Sequence, residues 1–218
     1  MRGRLDSAAP IRPPRILVTG FSVFPGAPVN PTEALVFALR DAPPESGIEA
    51  FRAEVLAVEY ATVAERLSAI GRDFRPDIAI HFGLASACSG FRLERSARNS
   101  HANAREDQTG CLPVDAQVCA GPETFASTLP LDLIALRLEG AGHRVEWSDD
   151  AGGYLCNTVF TLSVAHACEG FVPAMAGFVH VPLLKENGTI GTMSFDDLVS
   201  GARVATDACV EAWRGRTA

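Results

Sequence analysis

The chain has 218 residues, 47% of them apolar and 21% charged, with 19 Lys and Arg against 26 Asp and Glu for a net charge of -7. That balance specifies a soluble globular chain long enough to bury a sizeable core, gives no support to a nucleic-acid partner, and contains no apolar run long enough to span a membrane as a helix. The N-terminus carries charge but no apolar signal core, so the expected location is cytoplasmic. There the six scattered cysteines, none in a C-x-x-C pair, are expected to be reduced.

Residues 1–14, rich in Arg, Pro and Ala, predict a flexible N-terminal extension, and 15–218 a single α/β domain. Ile16-Leu17-Val18-Thr19-Gly20 is a short apolar run ending in glycine, the pattern of a buried parallel strand. The loop after it carries Phe21 and Phe24, at the strand end where open α/β sheets bind ligands. Asn30-Pro31-Thr32-Glu33 opens a helix, because asparagine caps and proline fits the first helical position. Phe51 to Val58 predicts a strand, Ala61 to Ile70 a helix, and Asp77 to Gly83 a second apolar strand. Phe91 to Arg95 alternates as a short strand, and the polar residues 96–129 predict a long irregular excursion of the lid or binding-loop kind. A helix over Leu131 to Glu139, a strand over Val145 to Ser148, a strand over Ala176 to Pro182 and a last helix from Ser194 to about Trp213 complete the chain. Ser194 with Asp197 forms an acidic capping box. The alternation of strands and helices argues for a mainly parallel sheet covered on both faces.

Between the last two strands lies Ser148-Asp149-Asp150-Ala151-Gly152-Gly153-Tyr154-Leu155-Cys156-Asn157, leading into an apolar helical pattern that reaches His166. Asp149 or Asp150 is the expected N-cap, which puts Cys156 in about the first turn. Unpaired N–H groups and the positive end of the helix dipole there favour thiolate, the reactive species. The plainer reading is a small buried hydrophobe, as most free cysteines are. A thiol nucleophile needs a base in reach and gains from a group that orients the base. His180 and His81 both sit at strand ends among apolar neighbours, where the plain reading is a core histidine bonded to backbone. His166 is too far along its helix to touch Cys156, and His101 and His143 fall in solvated segments. Glu94 is the candidate orienting acid, with an ordinary surface pairing to Arg92 or Arg95 as the alternative. Phe21 and Phe24 are either a pocket wall or core. No two His or Cys residues stand at metal-ligand spacing, and neither a P-loop, a dinucleotide fingerprint nor a G-x-S-x-G elbow is present, so no metal or cofactor is expected.

Together these segments resemble the pyroglutamyl peptidase type I (pyrrolidone-carboxylate peptidase) family. The likeness is carried by Ile16 to Phe21 with Phe24 and Gly26, Asn30-Pro31-Thr32, Glu94-Arg95 with Ala97 and Asn99, Thr128-Leu129-Pro130, Ala151-Gly152 with Cys156-Asn157, and Phe178-Val179-His180-Val181-Pro182. The resemblance implies a three-layer α/β/α sandwich around a twisted, mainly parallel sheet. It implies a cysteine exopeptidase that cleaves the amide bond after an N-terminal pyroglutamyl residue through a thioester. Cys156 would be the nucleophile, His180 the base and Glu94 the orienting group. Phe21 and Phe24 would hold the lactam ring, with Asn30 in contact with it. The implied partners are N-terminally pyroglutamylated peptides and further copies of the chain, as dimer or tetramer.

Three stretches depart from the family pattern. Residues 101–110 match it in register only at Asp107 and Gly110, Leu84 replaces a frequent glutamine, and Asp149-Asp150 replaces Asn-Thr. Two extra negative charges would oppose thiolate formation if they faced the sulfur. These departures leave room for a non-catalytic homologue that binds pyroglutamyl or related ligands, or a cysteine amidohydrolase of other acyl specificity. A nucleoside phosphorylase-like enzyme fits the architecture but lacks a phosphate-binding signature.

Overall fold

The computed structural model of the protein describes residues 12–24, 27–44, 47–185 and 193–216. Most of the expected N-terminal extension lies outside them, as do the family-pattern residue Gly26 and the segment just before the last helix. Residues 12–14 are anchored: the Arg12 guanidinium pairs with Asp77 and Glu49, and its carbonyl accepts a bond from the Trp213 indole.

Among the described residues, eight strands and five helices follow in the order β1 (Arg15–Phe21), α1 (Pro31–Asp41), β2 (Ala50–Leu56), α2 (Tyr60–Asp73), β3 (Ile78–Leu84), β4 (Phe91–Glu94), β5 (Ser96–Arg98), β6 (Thr124–Ala126), α3 (Leu131–Gly140), β7 (Val145–Ser148), α4 (Leu155–Val164), β8 (Met175–Val181) and α5 (Phe195–Arg214). The main sheet has the order β2-β1-β3-β8-β4-β7. β2, β1, β3 and β8 are parallel, β4 runs antiparallel to β8, and β7 runs parallel to β4. The excursion is not wholly irregular: its ends pair as β5 and β6, because Ala97 is fully buried and the three-residue register brings Ser96 opposite Ala126.

Side chains of a strand point alternately to its two faces, and the central strands divide accordingly. Ile16 and Val18, Ile78, Ile80 and Phe82, and Val179 and Val181 pack on one face in a core that also holds residues of α1, α3 and α5. Leu17 and Phe21, Ala79, and Ala176 and Phe178 pack on the other with α2 and α4. Three layers result, as expected. Both faces of β1 and β3 are covered, which is why these strands read as unbroken apolar runs rather than as alternating ones.

Helix starts follow local chemistry. Asn30 Oδ1 accepts from the Thr32 backbone N–H at 3.2 Å with Pro31 in the first turn, and the Ser194–Asp197 capping box opens α5. α4 differs from expectation. It begins at Leu155 with Tyr154 at the N-cap and no side-chain cap bond. Asp149 and Asp150 are drawn away by Arg95 and Arg98, and Gly152, at φ 83°, turns the chain between them and the helix. α4 also ends before His166, which adopts φ 53° beyond the C-cap and bonds the Pro173 carbonyl at 2.9 Å.

His81 is a core histidine, as in the plainer reading, but its partners are side-chain hydroxyls and not backbone. Fully buried in β3, it bonds Thr19 Oγ1 at 2.7 Å and Ser163 Oγ at 2.8 Å, and burial lowers its pKa from 6.5 to about 3. A histidine held neutral by folding stabilises the fold above its unfolded pKa, and that stability is lost as pH falls below 6.5 toward 3. Urea unfolding at pH 7 and pH 5 should show about 2 kcal/mol more loss in the wild type than in His81→Gln, where the titrating ring is gone. Equal losses in the two proteins would remove His81 as the source.

Candidate active site

The face of the sheet that carries α2 and α4 also carries polar side chains. In β8 the register sets His180 beside Gly83 of β3 and Arg92 of β4, with Phe178 opposite Glu94. Directly opposed residues share a face and neighbours two apart lie diagonally within reach. Glu94 and His180 are such a diagonal pair, and His180 Nδ1 donates to Glu94 Oε1 at 2.7 Å. Glu94 is 0% exposed, while Glu94 Oε2 is buried with no partner among the described residues. The expected pairing of Glu94 with a neighbouring arginine is not formed. Arg92 binds Glu146 at 3.0 Å and Arg95 binds Asp149, leaving the buried carboxylate to the imidazole.

Cys156 is the second residue of α4 and half-buried, and it lies near enough to His180 to help raise the pKa of that ring. The first-turn N–H groups of α4 have no side-chain cap, so they remain for solvent or a bound group. Burial pulls the His180 pKa down, but hydrogen bonds and attraction from Cys156 and Glu94 outweigh it and raise the value to about 9. The imidazole is therefore cationic at neutral pH, held between sulfur and carboxylate.

A cavity of about 370 Å³ opens at this point, at the carboxyl ends of β1, β3 and β8. Cys156, His180, Phe21, Phe24 and Asn30 all line it. Phe21 is buried and its ring lies 6.3 Å from that of Phe178, while the Phe24 ring lies tilted against Tyr154 with centroids 5.6 Å apart. Asn30 has two duties. Its Oδ1 also takes the Thr32 hydroxyl and its Nδ2 donates to the Ser22 carbonyl, which leaves one N–H for a guest. Asp150 reaches the cavity wall as well, but its carboxylate binds Arg98 and the Gly152 N–H. The two extra aspartates are thus ion-paired and do not stand as free charges against the sulfur.

Some contributors were not singled out from the sequence. Phe178 packs 4.7 Å from the His180 ring and 6.2 Å from Phe160, forming the floor beneath the pair. Strand alternation from His180 points to this position, although nothing in the sequence gives the register of β4. Gly83 is required by space: a Cβ there would lie 2.9 Å from Cys156 Sγ and 2.7 Å from the Phe178 ring. From the excursion, Asn103 and Arg105 line the cavity, and Arg105 sits 4.9 Å over the Tyr154 ring. His101 and His143 are half-buried rather than solvated, packed against Tyr60 and Phe91. Among the described residues, no group of three His, Cys, Asp or Glu side chains is placed to hold a metal ion.

An α/β/α sandwich with a Cys–His–Glu cluster at a ligand-sized cavity defines a protein built for thiol-based acyl chemistry. The sequence signature described as Pyroglutamyl peptidase matches residues 14–212, and the chain belongs to that family. It is similar to the pyrrolidone-carboxylate peptidase of Pyrococcus furiosus, 37% identical over 177 residues, covering 79% of this chain and 82% of that one. It is also similar to the pyrrolidone-carboxylate peptidase of Vibrio vulnificus, 33% identical over 203 residues, with 90% and 93% covered. The crystal structure of the Pyrococcus furiosus enzyme superposes with a TM-score of 0.83 at 33% identity, covering 91% of this chain and 99% of that chain.

Gly83→Ala should part the thiol from the imidazole. Iodoacetamide should then alkylate Cys156 at least about ten-fold more slowly at pH 7, since the sulfur is moved away from the imidazole that activates it. Mass spectrometry of the Cys156 peptide reads the rate, and an unchanged rate would show that the space is not needed.

Proposed function

We infer that the protein is a cysteine exopeptidase that hydrolyses the amide bond after an N-terminal pyroglutamyl residue. The observation that carries this reading is the single imidazole shared by Cys156 and Glu94 on the wall of the cavity. Family membership supplies the acyl group, and the residues supply the chemistry.

Cys156 is proposed as the nucleophile. Its thiolate attacks the carbonyl carbon that joins pyroglutamate to the next residue, forming a tetrahedral oxyanion. The uncapped N–H groups of the α4 start are the donors for that oxygen, each worth about 3 kcal/mol in studied enzymes. His180, already cationic, gives its proton to the departing amine as the C–N bond breaks and a thioester remains. The neutral ring then takes a proton from water as the water attacks the thioester, and the thiolate leaves. Glu94 holds Nδ1 and stabilises the cation without reacting itself. The rings of Phe21 and Phe24 offer apolar faces to the uncharged lactam, and the remaining Asn30 N–H offers a partner for its carbonyl. A pocket that bonds the lactam discriminates against proline, which would leave those groups unpaired.

The ion pairs Arg95–Asp149 and Arg98–Asp150 remove the charge-based reason for a non-catalytic homologue. A cytoplasmic setting is proposed as well, and it keeps the thiol reduced. Assembly as a dimer or tetramer is likewise proposed. Leu112 and Val114, exposed on the excursion, supply apolar area for it.

Cys156→Ala should fold and lose pyroglutamyl-anilide hydrolysis by on the order of 10⁴-fold or more. Glu94→Gln should lose less, on the order of 10²- to 10⁴-fold, because the acid orients rather than reacts. Substantial turnover by Cys156→Ala, or none by the wild type, would overturn the assignment. The pH profile gives a second check. The raised His180 pKa means the proton donor is present below about 9, so kcat/KM should decline as pH rises through that value. A profile flat to pH 10.5 would exclude His180 as the acid.

A further inference from the structure

Beside the cavity that holds Cys156 lies a second one of about 310 Å³. Phe24, Leu84 and Arg105 border both. The far wall of the second is Ala27, Pro28, Val29 and Leu183, and neither Cys156 nor His180 reaches it. We propose that this cleft is the subsite for the residue after pyroglutamate, and that it selects an apolar side chain together with a free α-carboxylate held by Arg105. The proposal rests on the peptidase reading above.

Three observations lead there. An exopeptidase that takes the blocked end of a peptide into one cavity must let the rest of the chain out beside it. The second cleft shares a border with the first and is the adjoining space on the Phe24 side. Six of its eight lining side chains are apolar, Ser86 and Arg105 being the other two, and Leu84 is one of the six where the family pattern often has glutamine. The cation at the shared border is uncommitted. Arg92, Arg95 and Arg98 are each bound to an acid, while Arg105, among the described residues, has no carboxylate partner and rests on the Tyr154 ring. A residue branches at its Cα into side chain and carboxylate. An apolar cleft with a cation at its mouth accepts both branches at once, which favours pyroglutamyl dipeptides over longer or amidated peptides.

The test uses the full chain with pyroglutamyl-leucine, pyroglutamyl-leucinamide, pyroglutamyl-glycinamide and the α-amide of pyroglutamyl-glutamate, reading amine release. Ratios are taken within each protein, so any change in the common rate cancels. The free acid should exceed leucinamide in kcat/KM by about two- to five-fold, chiefly in KM, the range of an exposed ion pair, and this should fade in 1 M salt. Leucinamide should exceed glycinamide by about ten-fold. Arg105→Gln should bring the acid-to-amide ratio to about one, and Arg105→Lys should keep most of it. A wild-type ratio of one, the same ratio in Arg105→Gln, or preference for the glutamate amide over pyroglutamyl-leucine would overturn the subsite while leaving the peptidase reading intact. No turnover of any of the four by the wild type would overturn both.

Discussion

Everything at the site depends on one hydrogen bond in a place closed to water, His180 Nδ1 to Glu94 Oε1 at 2.7 Å. A carboxylate with no exposed surface costs several kcal/mol to bury, even after the protein relaxes around it. One oxygen recovers part of this through the imidazole, and the other, Oε2, has no partner among the described residues. Such an arrangement is poor for stability, because a buried acceptor left unpaired costs about 1–3 kcal/mol. It is good for holding a cation. The buried carboxylate fixes the orientation of the imidazole before any substrate arrives and helps raise its pKa.

The fold produces this pair by strand register. β4 lies antiparallel to β8, so residues two apart on the two strands meet diagonally on one face. The alternation that sends Val179 and Val181 into one core sends Phe178 and His180 to the other face. Phe178 is the floor of the arrangement, touching Phe21, His81, Phe160 and His180. Packing around this one ring therefore joins the lactam side of the cavity to the imidazole. A truncation there would leave a void beneath both, at about 3–5 kcal/mol for a buried aromatic.

Much of this was legible in the chain and some was not, for physical reasons. Runs such as Ile16 to Gly20 and Ala176 to Pro182 announce buried strands, since both faces are covered and nothing interrupts the apolar pattern. Asn30-Pro31 announces a helix start through local capping alone. The same logic does not locate the start of α4. Asp149 and Asp150 are good caps, but Arg95 and Arg98, more than fifty positions earlier, claim them first. His180 and Glu94 could be named individually, yet their meeting depends on the β4–β8 register, which no local pattern encodes. Polar neighbours in sequence suggest solvent for His101 and His143, whereas the rings pack on Tyr60 and Phe91 from other elements. Local chemistry was readable, and contacts between distant segments were not.

The same long-range pairing decides the electrostatics of the thiol. Two carboxylates just before α4 would repel a thiolate at its start, and a side-chain cap would occupy the N–H groups that steady an oxyanion. Arg95 and Arg98 address both problems at once. They bind the aspartates, and they hold these side chains away from the cap position, leaving Tyr154 there with nothing to accept the first-turn donors. Exposed ion pairs of this kind contribute little to stability, about 0–1 kcal/mol. Their effect here lies elsewhere: a helix terminus that keeps its positive end and its free donors is the environment in which a cysteine is most easily kept anionic. The departure from the family pattern at Asp149-Asp150 is thus matched by basic partners from β4–β5, and the charge balance around Cys156 is retained.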